Sequence, residues 1–165
     1  RDDVKKYYGA TIGFGGRGEG VARKENYCEI DPTTVDEFGI PVLKFNYKWS
    51  DLEVKQAKHM QDTFEELIHN MGGHQIWGGK PGKDSNYGLE APGKIIHEVG
   101  TTRMGDDPKT SVTNKFNQLH DVDNVFVVDA GVFVSQADKN CTWTIMALAW
   151  RASDYIIEQL KQQNV

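Results

Sequence analysis

Only two cysteines occur in the 165 residues, Cys28 and Cys141, far apart and without paired spacing. That excludes a disulfide framework and a CxxC-type zinc site, and it leaves the compartment open. No apolar run approaches the roughly 20 residues that a membrane-spanning helix needs. Positive charge is not in excess either, since 19 Lys and Arg face 24 Asp and Glu for a net charge of −5. Nonspecific nucleic-acid binding, which relies on Lys and Arg neutralising phosphates, is excluded with it. The chain also has no internal repeat, no initiator Met and no signal-peptide pattern. It opens on Arg1-Asp2-Asp3 and reads as a piece of something longer.

What is present describes one globular domain: 38% hydrophobic, 26% charged, with a mean hydropathy of −0.58. Charge is uneven, because residues 1–24 carry six basic and three acidic side chains and the remainder carries a net −8. Residues 1–24 form a glycine-rich N-terminal segment that reads as a loop, with little hydrophobic periodicity. Glu25 to Ile30 is a short strand candidate, followed by Asp31-Pro32 as a turn opener. In residues 42–48, Leu43, Phe45 and Tyr47 alternate with Lys44, Asn46 and Lys48, which predicts a half-buried antiparallel strand.

The clearest helix follows. Ser50 and Glu53 have the S-x-x-E capping spacing, Ala57, Met60, Phe64, Leu67, Ile68 and Met71 recur at helical intervals, and Gly72-Gly73 supplies the stop. Residues 75–94 read as loop, with Trp77 and Tyr87 as anchors. Ile95 to Val99 reads as a short strand ending at Gly100. Val125 to Asp129 reads as a strand covered on both faces. A last helix is expected from about Thr142 to Leu160, its buried stripe formed by Ile145, Leu148, Ala149, Ala152, Ile156 and Leu160. Irregular alternation of these elements gives an α+β class, an antiparallel or mixed sheet with helices on one face.

Several stretches carry candidate chemistry. Gly13 to Gly18 satisfies G-x-G-x-x-G, but no buried strand precedes it and no amphipathic helix follows, so it reads as a flexible loop. His59 and His69 lie ten apart on the first long helix, unlike a one-turn metal pair; with His74 and His120 in polar surroundings, no metal site is expected. Asn140-Cys141-Thr142 is the one N-x-S/T match, although Asn140 just before a helix reads by default as a cap. A strand-end histidine such as His97 is, taken alone, most often structural.

The residues around His97 change that reading. His97-Glu98-Val99-Gly100-Thr101-Thr102-Arg103-Met104-Gly105 resembles the H-x-x-G-T-x-x-M-G segment of the glucose–methanol–choline (GMC) flavoprotein oxidoreductases. Ser111-Val112-Thr113, then Asn124 to Ala130, then Asn140 to Ala149 follow in that family's order and spacing, the last matching N-x-T-x-T-x-x-A-x-A. Asp31-Pro32 with Asp36, Gly39 and Pro41 resembles the strand-turn-strand of the bacterial sugar- and gluconate-oxidising branch. The resemblance covers about residues 25–160. One departure is that many relatives place Pro after the Asp-small-Ser motif and after the active-site Asn, where this chain has Gly131-Val132-Phe133-Val134 and Cys141.

The resemblance implies the C-terminal, substrate-binding domain (25–160) of an enzyme whose N-terminal FAD-binding domain is absent from this chain. Alone it is expected to bind FAD weakly or not at all and not to turn over. His97 matches the active-site histidine, and Asn140 the second active-site position. An imidazole, with an ordinary pKa of about 6.5, suits a base that removes a hydroxyl proton, while a carboxamide donates to the substrate oxygen without titrating. Asp129 and Ala130 match the strand end that packs against the cofactor. Cys141 and Thr142 begin the helix whose positive end would face the flavin pyrimidine edge. The implied partners are an alcohol or sugar, the FAD-binding domain and an electron-acceptor subunit. The alternative is a noncatalytic carbohydrate-binding or interaction module in which His97 and Asn140 are structural; a gene beginning near Arg1 would favour it.

Overall fold

The computed structural model describes residues 1–76, 82–94, 96–136 and 138–164. It divides into one unit of Arg1–Gly18 with Asp51–Leu89 and a second of Glu19–Ser50 with Glu90–Val165. Two of the sequence expectations, Trp77 as an anchor and Ile95 as the start of a strand, lie outside the described residues.

The first unit is built on helix. Residues 1–24 are not all loop, because Asp2–Tyr7 forms α1. Asp2 and Asp3 in its first turn and Lys5 and Lys6 in its last complement the helix dipole, a charge pattern that apolar periodicity does not register. The major helix of this unit, α2, spans Asp51–Asn70 and starts directly after Ser50, as the capping spacing predicts. It buries Glu53 and Ala57. Phe64 stacks on Phe14 with ring centroids 5.7 Å apart, so the glycine-rich run is seated on the helix rather than loose. Gly72 ends α2 at a φ of +74°, with the Gly73 amide returning to the Ile68 carbonyl at 2.9 Å. A kinked 3₁₀ turn, Lys83–Gly88, is held to α2 by the Gln61 amide donating to the Tyr87 carbonyl at 3.2 Å. Tyr87 thus anchors through its backbone.

The second unit contains the sheet, two antiparallel strands β1 (Tyr27–Val35) and β2 (Pro41–Asn46). Pairing runs Tyr27 with Asn46 through Ile30 with Leu43, then breaks before Val35. Asp31-Pro32 therefore does not open a turn. The Asp31 carboxylate accepts from the Thr33 amide and hydroxyl and the Thr34 amide at 2.8–2.9 Å, which bulges the strand without reversing it. Reversal comes at Asp36, whose carboxylate accepts from the Phe38 and Ile40 amides at 2.9 Å.

The alternation in β2 follows the predicted pattern. Lys44 pairs with Glu29 at 3.7 Å on one face, while Cys28, Ile30, Leu43 and Phe45 share the other. That apolar face is not half-buried, since Ile30 is 67% and Phe45 64% exposed.

Helix α3 (Thr142–Gln162) closes the unit and buries Ala152 completely. Tyr155 stacks on Phe116 at 4.1 Å and meets Phe126 edge-on at 6.2 Å, fixing the helix against the 116–126 loop. The expected stripe is the inward side at all but Leu160, which is exposed. Trp143, Met146, Trp150 and Ile157 form a second apolar stripe that is open, with Trp143 85% and Trp150 73% exposed. Among the described residues no helix is long and apolar enough to cross a membrane.

Two expected strands do not form. Residues 96–99 are irregular because His97 and Gly100 take φ values of +76° and +84°, which no extended ladder accommodates. Among the described residues, 125–129 make only the isolated Gln118–Phe126 bridge, with Val125 and Val128 exposed. Their partner segment carries Asn117 at a φ of +65° and cannot extend the pairing.

Candidate active site

All six candidate residues lie in the second unit, where a short strip of backbone, Thr102 to Gly105, joins the segments that carry His97 and Asp129. The Thr102 and Met104 amides donate to the carbonyls of Gly131 and Val132 at 3.0 and 2.9 Å. On its other edge, the Gly105 amide donates to the Thr113 carbonyl at 2.9 Å and the Thr113 hydroxyl to the Thr102 carbonyl at 3.0 Å. Val132 and Thr113 are fully buried, so the strip lies against the core of this unit.

His97 is half-buried and lies on the loop entering that strip. Its left-handed backbone is uncommon for a residue with a Cβ and costs about 1–3 kcal/mol, which persists only where surrounding structure imposes it. Asp129 is the cap of a 3₁₀ turn, Ala130–Val132, and its Oδ1 accepts from the Gly131 amide at 2.7 Å. Gly131 fits nothing larger there: a Cβ would meet Thr102 Oγ1 at 2.6 Å, Asp129 Oδ1 at 2.8 Å and Thr101 Oγ1 at 2.9 Å. Thr102 Oγ1 is buried and has no hydrogen-bond partner among the described residues.

Beyond the turn the chain runs to Gln136, paired with Gly20 by amide–carbonyl bonds of 2.9 and 3.2 Å. Asn140 follows and is exposed. It is not the cap of α3; Cys141 occupies that position and its side chain makes no capping bond. Cys141 is half-buried and, like Cys28, a free cysteine. Thr142 is the first helical residue and is exposed.

The structure thus ties Asp129, Ala130 and the strip after His97 into one cluster, with Asn140, Cys141 and Thr142 on the segment leaving it. The strip that follows His97 is joined to the turn that precedes Asn140 through the Gly131 and Val132 carbonyls. Sequence reasoning missed the polar nodes that organise the cluster. Asn117, fully buried, donates to the Val127 carbonyl at 2.8 Å, and Gln118 to the Asp123 carbonyl at 2.7 Å. His120 Nε2 meets Ser111 Oγ at 2.9 Å, and that hydroxyl donates to the Asp107 carbonyl at 2.7 Å. A groove of about 380 Å³ between Arg17, Lys55, His59 and Met60 belongs to the first unit and holds none of the candidates. Among the described residues no three His, Cys, Asp or Glu side chains form a metal-binding group.

Comparison with known proteins supplies the rest. Residues 22–149 match the sequence model of the family described as GMC oxidoreductase. The chain belongs to the GMC oxidoreductase family. Within it, the chain is 30% identical over 156 residues to the gluconate 2-dehydrogenase flavoprotein of Pantoea cypripedii, covering 94% of this chain and 25% of that protein. It is 34% identical over 139 residues to the 2-methyl-1,2-propanediol dehydrogenase of Mycolicibacterium austroafricanum, covering 84% of this chain and 24% of that one. It is also 30% identical over 127 residues to the fructose dehydrogenase large subunit of Gluconobacter japonicus, at 77% and 22% coverage. The chain spans about a quarter of the length of the curated relatives it matches. All six candidates, from His97 to Thr142, fall inside the part matched to the GMC oxidoreductase family.

Proposed function

We propose that this chain is the C-terminal, substrate-binding part of an FAD-dependent oxidoreductase that oxidises the CH–OH group of an alcohol, sugar or sugar acid. The observation that carries the reading is the backbone junction at Gly131 and Val132. It ties the strip that follows His97 to the turn from which the chain departs toward Asn140. On this reading His97 and Asn140 act on one hydroxyl as base and donor.

In the reaction, His97 takes the proton of the substrate hydroxyl as the C–H bond breaks. Asn140 donates its amide to the same oxygen and orients it. Bound FAD would supply the acceptor for the hydride. Asp129, Ala130, Cys141 and Thr142 would hold it. Support for that fit comes from α3, a helix of 21 residues whose first turn has no side-chain cap and so leaves amide donors for an electron-rich ring.

The remainder of the enzyme, an FAD-binding domain on the same polypeptide, covers what this chain leaves bare. A helix apolar on two sides, as α3 is, belongs to a buried position. The outer edges of β1 and β2 are suited to further strands, giving a fuller sheet with helices on its open face. Alone, the chain binds FAD weakly or not at all and does not turn over. An electron-acceptor subunit is a further partner, suggested by the relative named as the large subunit of fructose dehydrogenase.

The test is to express the full-length protein with His97→Ala and, separately, Asn140→Ala, and to follow flavin bleaching by candidate alcohols and sugars. Both variants should bleach slowly. A wild-type rate in both would favour a noncatalytic module.

A further inference from the structure

We infer that Thr113 is a positioning residue for His97, acting through the strip from Thr102 to Gly105; the inference rests on the reading of His97 as the base. Thr113 is fully buried and commits three polar groups to that strip. Its hydroxyl donates to the Thr102 carbonyl at 3.0 Å, its carbonyl accepts from the Gly105 amide at 2.9 Å, and its amide reaches the Arg103 carbonyl at 3.4 Å. It also bridges Met104 on one side and Leu119 on the other. Thr113 is therefore the node between the strip and the loop behind it.

The link to His97 is geometric. Between His97 and Thr102 the chain makes a single further left-handed turn, at Gly100, where a Cβ would approach the Phe133 carbonyl at 3.4 Å. So short a connection inherits its orientation from wherever Thr102 is fixed. His97 itself is held at a positive φ, a conformation that relaxes once its surroundings loosen. A displacement of about 1 Å in a reacting group can cost about a hundredfold in rate.

Chemistry selects threonine here. Serine keeps the hydroxyl. Valine has the same shape without a donor, and it leaves the part-buried Thr102 carbonyl without the hydroxyl's bond.

The experiment uses the full-length, flavin-loaded protein as wild type, Thr113→Ser, Thr113→Val and His97→Ala. Two quantities are read: the rate of flavin reduction at saturating alcohol, and amide hydrogen exchange of peptides covering residues 98–106. Thr113→Val should slow reduction about ten- to a hundredfold with KM within about twofold of wild type. It should also speed exchange in 98–106 and leave α2 unchanged. Thr113→Ser should stay within about threefold of wild type. If Thr113→Val does not fold, Thr113→Ala is read by the same two measurements. Faster exchange with an unchanged rate makes Thr113 merely structural and overturns the inference, as does a Thr113→Ser as slow as Thr113→Val. A wild-type rate in His97→Ala removes the base assignment and the inference together. Failure of the Thr113 variants alone leaves that assignment standing.

Discussion

Asp129 and Gly131 close a turn in which one carboxylate oxygen does two things. Oδ1 accepts the Gly131 amide at 2.7 Å, and it also stands 2.8 Å from where a Cβ on Gly131 would lie. Thr101 and Thr102 crowd the same point with their hydroxyls. A methyl group at position 131 must displace three oxygens or move the backbone that anchors Thr102.

Gly131→Ala is therefore expected to destabilise the protein by about 1–3 kcal/mol, the usual cost of forcing extra volume into a filled site. Urea denaturation measures it. A loss near zero would mean that the turn yields freely and does not clamp the strip.

Asn117 combines a left-handed backbone with a buried side chain that donates to the Val127 carbonyl at 2.8 Å. Alanine would lose that bond and be strained at this φ, for a cost of about 2–3 kcal/mol. Asn117→Gly should lose less, because glycine accepts the backbone. The order of the two variants in denaturant is the check, and Ala at least as stable as Gly would contradict it.

The Asp31 carboxyl is held below the usual carboxylate range, chiefly by the Thr33 amide, then by the Thr33 hydroxyl and the Thr34 amide. A depressed folded-state value means a contribution to stability that is present above the unfolded-state value and lost as pH falls through the folded one. Thr33→Val removes one donor and should raise the Asp31 titration midpoint, as read by NMR of the carboxyl carbon. An unmoved midpoint would show that the backbone amides alone hold it.

The open stripe of α3 predicts opposite effects in two contexts. In the 165-residue chain, Trp150→Glu replaces an exposed apolar ring and should reduce self-association in light scattering. In the full-length protein the same change should destabilise the fold and reduce retained flavin. Unchanged flavin content there would mean that the FAD-binding domain does not cover this face.

The long helices were legible because their signals are local and repeated. The S-x-x-E spacing before α2, the Gly72 stop and the 3.6-residue stripe of α3 each specify an element without reference to distant residues. Alternation in β2 was equally plain, but a period reports which side chains share a face and not whether anything covers it. The apolar run from Val125 to Val128 misled for the complementary reason: its partner segment turns at Asn117, and nothing near Val125 encodes that. The candidate site was legible as motif residues. Its organisation was not, because Thr113, Asn117 and Gln118 act through hydrogen bonds to backbone that no spacing rule reveals. His97 read as a strand end, whereas its positive φ places it on a strained loop.

The most direct test is the rate of flavin reduction by a saturating alcohol substrate in the full-length protein, comparing wild type with His97→Ala and adding free imidazole. Loss of a general base predicts a fall of about 10²–10⁴-fold, partly restored by imidazole in the vacated position. A His97→Ala protein that folds, retains its flavin and reduces it at the wild-type rate would contradict the account.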